Sequence, residues 1–221
     1  IVQQALTVLK NLLHRGACGC DPNTGDGAGI LIQIPHAFLA RECAQLGITL
    51  PGPRQYGAGL VFLPRDPAQG ARCQEVFARI IAEEGQTLLG WRHVPTDDSP
   101  IGPTAKSAEP HVEQIFIGRS RDLADDQAFE RRLYVIRKRV EHAIWGSDMS
   151  DRKYFYLPSL SSNTLIYKGM LLATQIETMF PDLTDPAVES ALALVHQRFS
   201  TNTFPSWPLA HPYRYIAHNG E

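Results

Sequence analysis

Apolar residues recur at helical spacing in several stretches of the chain, and that periodicity predicts amphipathic helices over residues 1–13, 68–84 and 125–145. Gly16 follows the first stretch and is expected to stop it. The repeat is clearest in the last stretch, where the apolar residues are Phe129, Leu133, Ile136, Val140 and Ile144.

Short apolar or alternating runs predict β-strands between these helices. The runs cover residues 30–35, 59–64, 85–94, 112–117, 154–160, 164–167, 192–199 and 213–217. A Ser-Ser-Asn turn between 154–160 and 164–167 predicts that these two form a hairpin. Residues 95–110 contain four prolines and predict a surface connection. Many short strands with a few helices favour an α+β fold whose helices cover antiparallel sheets.

Composition indicates a globular chain and gives no sign of a nucleic-acid or membrane partner. Of 221 residues, 43% are apolar and 20% charged, which excludes fibrous and disordered classes. The 21 basic and 23 acidic residues give a net charge of −2, so we expect no nucleic-acid partner. No run of apolar residues is long enough for a membrane span. The chain begins with Ile1 and ends in a predicted turn, so we expect it to be part of a longer polypeptide.

The cysteines favour a reducing, cytoplasmic compartment. Cys18 and Cys20 form a C-x-C pair, and no second close pair follows to complete a four-ligand metal site. We therefore expect reduced thiols, no disulfide framework and no metal centre.

The glycine-rich segment from Gly25 to Gly29 has the composition of a phosphate-binding loop but not its spacing or context. Its third glycine comes one position early, and a helix precedes it where a strand is required. Its glycines instead favour a close approach of the backbone to another backbone or to a ligand. Nearby, His14 and Arg15 suit a helix C-terminus, and a His14–Cys18 catalytic pair remains an alternative.

Two later segments have both a structural and a chemical interpretation. Arg198 follows an apolar strand and precedes hydroxyl, amide and aromatic side chains, so it could grip a carboxylate or tie the loop to an acidic neighbour. Asn219 and Gly220 are typical of a hairpin turn, but their two N–H donors also suit a developing oxyanion.

The segments 14–29, 196–207 and 218–221 together resemble the class II glutamine amidotransferase domain of glutamate synthase large subunits. Residues 90–95 and 161–170 match the same pattern, and the resemblance covers essentially the whole chain. It implies an N-terminal-nucleophile (Ntn) hydrolase fold, with two antiparallel sheets between helical layers (αββα). Residues 1–221 would then be a partial type 2 domain, incomplete at both ends.

The resemblance also implies a function in glutamate biosynthesis and nitrogen assimilation. Such domains hydrolyse L-glutamine to glutamate and ammonia, which is channelled to 2-oxoglutarate for reductive amination. By matched position, Asn219 and Gly220 resemble the oxyanion hole, and Arg15 resembles the arginine beside the nucleophile. The residues that resemble the substrate-binding set, with Arg198 on the α-carboxylate, are Arg198, Phe199, Thr201 and Asn202.

One departure from the family pattern concerns the nucleophile. The family's cysteine carries a free α-amino group and lies about twenty residues before the first helix, and no cysteine of this chain matches it. The parent protein is thus expected to be an enzyme and residues 1–221 alone to be inactive. A module that binds glutamine without cleaving it is the alternative.

Cofactors and further partners are expected outside this stretch of sequence. The resemblance implies FMN and an iron–sulfur cluster elsewhere in the parent and none in this chain. It also implies the synthase domains of the same parent chain as partners, with a small electron-donating subunit or ferredoxin. NADPH, NADH and ferredoxin all remain open as the electron donor.

Overall fold

The computed structural model describes residues 1–16, 18, 21–197 and 205–209 and divides the chain into two compact units. The first unit comprises Ile1–Pro35, Val94–Glu109 and Ile166–Glu221. The second unit comprises His36–His93 and Pro110–Leu165.

Helices and strands alternate irregularly along the chain, and short 3₁₀ turns lie between them. In chain order the elements are α1 (Val2–Asn11), β1 (Ala28–Gln33), α2 (His36–Gln45), β2 (Tyr56–Leu63), α3 (Pro67–Glu83), β3 (Thr87–His93), α4 (Pro103–Ser107), β4 (His111–Gly118), α5 (Asp126–Trp145), β5 (Thr164–Gly169), α6 (Ile176–Met179) and β6 (Ala193–His196). The 3₁₀ turns are Leu13–Arg15, Arg152–Tyr154, Ala173–Gln175 and Pro181–Thr184.

The sheet of the first unit has the order β5-β1-β6, with β1 in the centre. Strand β1 pairs antiparallel with β6, from Gly29 opposite His196 to Ile32 opposite Ala193. Five of the six residues of β1 are buried, as expected for a central strand. The register brings residues 21–27, before β1, and Gln197, directly after β6, to the same end of the sheet.

The sheet of the second unit has the order β2-β4-β3, and both pairings are antiparallel. The register between β3 and β4 shifts between Leu88 and Gly90. Such a bulge inserts one extra residue into a strand and re-aims the side chains that follow it. After this bulge, His93 faces Glu113 across the pair.

Helices α3 and α5 supply apolar side chains to the core of the second unit. Asp66 caps α3 and Asp125 caps α5, each by accepting a hydrogen bond from a backbone N–H of the first turn. The five periodic residues predicted for α5 are all fully buried. Phe77 of α3 forms an edge-to-face contact with Trp91, at 5.2 Å between ring centroids.

The predicted helices are confirmed as α1, α3 and α5, and most predicted strands appear with bounds shifted by a few residues. Two antiparallel three-stranded sheets with surrounding helices confirm the α+β class. The predicted strand at 213–217 lies outside the described residues. No helix in the described part of the chain is both long and apolar enough to cross a membrane.

Two local predictions are wrong. The predicted hairpin does not form, because residues 154–160 are not a strand and join β2 through an isolated bridge between Tyr156 and Phe62. Strand β5 instead joins β1 in the other sheet. The segment 95–110 is not merely a surface connection, since it contains α4 and buries Ile101 and Ala105. Helix α2 had no counterpart among the predicted elements.

Candidate functional site

The loop that precedes β1 is fixed by hydrogen bonds to the segment that begins α4. Thr24 Oγ1 donates to the Asp21 carboxylate at 2.8 Å and accepts from the Ala105 N–H at 3.2 Å. The Gly102 N–H donates to the Asn23 carbonyl oxygen at 2.9 Å. Residues 21–24 of the loop are therefore held against the start of α4 by partly and fully buried hydrogen bonds.

Asp21 is the charged residue of this network. Desolvation alone would raise its pKa, but hydrogen bonds from the Thr24 hydroxyl and from Thr104 outweigh it and hold the pKa of Asp21 below its ordinary value. The carboxylate therefore stays ionised and serves as an acceptor for the loop.

Gly25 brings the same loop against the backbone that follows β5. A β-carbon at Gly25 would lie 2.0 Å from the Leu171 carbonyl carbon and 2.3 Å from the Leu172 nitrogen. Gln175 supports this contact, because its Nε2 donates to the Asn23 carbonyl oxygen at 2.9 Å. The close backbone approach predicted for the glycine-rich segment is thus confirmed.

Trp207 anchors the far end of the segment 196–207. Its indole Nε1 donates to the Ala105 carbonyl oxygen at 3.0 Å. Its ring also packs against Gly169, where an added β-carbon would lie only 2.4 Å from Trp207 Cζ3. Lys168 Nζ donates to the Pro208 carbonyl oxygen at 2.5 Å. Residues 205–209 are therefore fixed against β5 and α4.

Gln197 fixes the near end of that segment, directly after β6. Its side chain packs on Gly16, where a β-carbon would lie 2.6 Å from Nε2. The residue is only 7% exposed, and within the described residues neither Nε2 nor Oε1 has a hydrogen-bond partner. A buried amide without partners costs about 1–3 kcal/mol, so this one is a candidate for binding a further group.

Of the site residues predicted from the sequence, Arg15 lies within the described part of the chain. It ends the 3₁₀ turn Leu13–Arg15, is exposed, and directly precedes the Gly16 that contacts Gln197. The other predicted site residues, which lie outside the described residues, are Arg198, Phe199, Thr201, Asn202, Asn219 and Gly220. Sequence reasoning missed Gln197, although it stands beside Arg198 in the same motif.

The described cysteines behave as free thiols. Cys43 and Cys73 are buried, and burial raises the pKa of each thiol to about 11. Cys18 is exposed and forms a β-bridge with Gly25. His14, the proposed partner of Cys18 in the alternative pair, places Nδ1 3.2 Å from the Asn11 carbonyl oxygen.

The second unit contains a separate cluster of potential metal ligands. His93, His111 and Glu113 each bring one donor atom within 4.8 Å of the others. This cluster was not expected from the sequence.

Comparison with known proteins gives the same family over the full chain. The family model described as class-II glutamine amidotransferases matches residues 1–221. The chain is 49% identical to the glutamate synthase [NADPH] large chain of Bacillus subtilis over 221 residues. It is 43% identical to the corresponding protein of Azospirillum brasilense and 39% identical to ferredoxin-dependent glutamate synthase 2 of Arabidopsis thaliana. Each alignment covers the whole chain but only 13–14% of the relative.

Proposed function

The chain belongs to the class-II glutamine amidotransferases, and from this premise we propose that it binds L-glutamine and forms the glutaminase portion of a glutamate synthase. The observation that carries the proposal is the match over residues 1–221 to the family and to relatives named glutamate synthase. Membership of this family favours an enzyme over the alternative of a module that binds glutamine without cleaving it.

The proposed reaction is hydrolysis of the side-chain amide of glutamine. A cysteine thiolate of the parent protein attacks the amide carbon, ammonia leaves, and water then cleaves the thioester to give glutamate. Asn219 and the Gly220 N–H donate to the oxygen that becomes negative during attack. Since the four cysteines of residues 1–221 are all internal and have no free α-amino group, residues 1–221 alone are proposed to be inactive.

Arg198 is proposed to hold the α-carboxylate of glutamine, because a guanidinium can donate two parallel hydrogen bonds to it. Phe199, Thr201 and Asn202 form the adjoining wall of the pocket in this proposal. Arg15 is proposed to border the nucleophile.

The arrangement of the first unit supports a single site for these residues. Gly16 and Gln197 are in contact, and their sequence neighbours are Arg15 and Arg198. Gln197 and Trp207, which flank the proposed substrate-binding residues in sequence, each pack within the first unit. The amide of Gln197, which has no hydrogen-bond partner among the described residues, is proposed to complete its hydrogen bonds within the substrate-bound site.

The remaining partners of the reaction are proposed to lie outside residues 1–221. Ammonia would pass to synthase domains of the parent chain, where 2-oxoglutarate is aminated and reduced with FMN and an iron–sulfur cluster. Relatives named for NADPH, NADH and ferredoxin support an electron-donating subunit or ferredoxin as a further partner. We also propose a cytoplasmic location, which the free thiols of the described cysteines support.

The test is Arg198→Lys in the intact protein. The ammonium group of lysine cannot donate the two parallel hydrogen bonds that a guanidinium gives to a carboxylate. The KM for glutamine should therefore rise while ammonia-dependent glutamate synthesis is spared. Arg121→Lys, at an exposed arginine of the second unit, is the matched control. A parallel fall of both activities would assign Arg198 to folding, and glutamine binding without turnover in the parent would favour the binding module.

A further inference from the structure

Three side chains with metal-binding atoms converge on one face of the sheet in the second unit, where β3 ends and β4 begins. His111 Nε2 lies 2.7 Å from Glu113 Oε1, and His93 Nδ1 lies 3.4 Å from the same oxygen. The two imidazole rings are stacked, with centroids 4.9 Å apart and planes inclined by 18°. One carboxylate oxygen is thus approached by two imidazole nitrogens from neighbouring strands.

The strand register produces this convergence. His111 and Glu113 are two residues apart on β4, so their side chains point to the same face of the sheet. His93 ends β3 directly opposite Glu113, because the bulge before Gly90 has shifted the register by one residue. Arg92, the preceding residue, points to the other face and donates to Gln114 Oε1 at 3.3 Å.

The donor set and its spacing suit a zinc-class ion. Imidazole nitrogen and carboxylate oxygen bind Zn²⁺ at about 2.0–2.2 Å, and tetrahedral geometry then separates ligand atoms by about 3.3 Å. The two imidazole nitrogens lie 2.7 and 3.4 Å from Glu113 Oε1 and within 4.8 Å of each other. Movement of the two exposed imidazoles can bring all three atoms to that spacing.

Exposure fits a site that an ion can enter from solvent. The side chain of Glu113 is 12% exposed, whereas those of His93 and His111 are 58% and 46% exposed. The glutamate is therefore held in place by the sheet and the imidazoles can adjust around an ion. Three protein ligands leave a fourth tetrahedral position for water.

We propose that His93, His111 and Glu113 bind a divalent transition-metal ion of the zinc class. The bound ion would cross-link the end of β3 to the start of β4. It is independent of the proposed glutaminase chemistry, because none of the three residues belongs to the proposed glutamine site. The competing explanation is a hydrogen-bonded trio in which Glu113 accepts from both imidazoles without any ion.

The experiment is equilibrium dialysis of the intact protein against micromolar free Zn²⁺, with zinc counted per chain by mass spectrometry. The variants are His93→Ala, His111→Ala and Glu113→Gln, and the control is His142→Ala, which removes an exposed histidine from α5 of the same unit. The difference in zinc content per chain between the unaltered protein and each variant reports on this site alone, whatever other metals the parent protein contains.

We expect the unaltered protein and His142→Ala to bind one more zinc per chain than His93→Ala and His111→Ala. Glu113→Gln keeps the side-chain shape but loses the charge, so its affinity for zinc should fall at least about tenfold, the loss seen even for outer-shell changes. Both histidines are exposed, so their removal leaves the fold intact. Equal zinc content and affinity in all five proteins would overturn the site and leave the hydrogen-bonded trio. Glutaminase activity should stay the same in every variant, so the two proposals can fail separately.

Discussion

Gly25 lies so close to Leu171 that no side chain fits between them. A β-carbon on Gly25 would be 2.0 Å from the Leu171 carbonyl carbon and 2.1 Å from its oxygen, both of them backbone atoms, so the backbone itself would have to shift. This contact joins the loop before β1 to the segment after β5. The two segments meet at the end of the sheet where Gln197 also follows β6.

Gly25→Ala should therefore loosen the first unit of the protein. We expect its local unfolding free energy to fall by about 3 kcal/mol or more, the upper range for forced overpacking. Hydrogen exchange of the β1 amides in the intact protein measures this loss. Gly52→Ala is the control, since a β-carbon there meets nothing within 4 Å, and its effect should stay within about 0.5 kcal/mol. Unchanged β1 protection in Gly25→Ala would mean that the loop can move away from Leu171.

Glu84→Gln should weaken the packing of α3 against α5 and make it less sensitive to acid. The Glu84 carboxylate accepts hydrogen bonds from Arg132 and from Arg139, the latter at 2.7 Å. Desolvation raises its pKa, but these two arginines outweigh that effect and hold the pKa of Glu84 below its ordinary value. At neutral pH we expect the variant to lose about 1–2 kcal/mol, measured as hydrogen exchange of α3 and α5 amides.

The sign of the pH dependence follows from the lowered pKa. The stabilisation from Glu84 is fully present above the unfolded-state pKa, about 4.3, and is lost as the pH falls through the lower folded-state value. The difference between parent and variant should therefore shrink in that acid range. Glu75→Gln, at an exposed glutamate of the same helix, is the control. A difference that is constant down to the acid range would show that Glu84 acts through packing and not through its charge.

The sequence predicted the long helices because their burial is periodic. Every apolar residue that was used to predict α5 is buried, so the local spacing of apolar residues was enough to predict this helix. The failed hairpin shows the opposite case. Its Ser-Ser-Asn turn is bound by Glu130 of α5, which accepts from the Ser161 hydroxyl at 3.1 Å and from the Ser162 N–H at 2.5 Å. The conformation of this turn depends on a carboxylate some thirty residues away in sequence, and the local sequence pattern cannot predict that contact.

The candidate site divides in the same way. A contiguous motif predicted Arg198 and its neighbours, and because they lie outside the described residues their role stays a prediction. Gln197 itself was missed because an unpartnered buried amide is a property of packing. The histidine and glutamate cluster was missed because its register depends on a bulge before Gly90.

Gln197→Leu tests whether the buried amide binds within the glutaminase site. We expect the KM for glutamine to rise about three- to tenfold, the equivalent of one neutral hydrogen bond, with no loss of thermal stability. Stability should hold because leucine removes an amide that has no partner among the described residues. Gln4→Leu, at an exposed glutamine of α1, is the control. An unchanged KM together with a higher melting temperature would show that the Gln197 amide only destabilises the fold and does not bind within the glutaminase site.

Asn219→Ala in the intact protein tests the oxyanion hole. If Asn219 donates to the developing oxyanion, its hydrogen bond strengthens only as the amide oxygen gains charge. Losing such a donor costs about 10²–10³ in turnover, or roughly 3–4 kcal/mol. The loss should appear in kcat with little change in KM for glutamine, because ground-state binding is assigned to Arg198 and its neighbours.

The competing role for Asn219 is to shape a hairpin turn, and the two roles separate when stability is measured beside kinetics. Asparagine tolerates a left-handed turn conformation that alanine adopts poorly, so a turn residue would lose stability on substitution and keep most of its turnover. Ammonia-dependent synthesis serves as the internal control, since it bypasses glutamine hydrolysis. A variant that melts several degrees lower but hydrolyses glutamine within about threefold of the parent, far from the range for a lost donor, would exclude the oxyanion role.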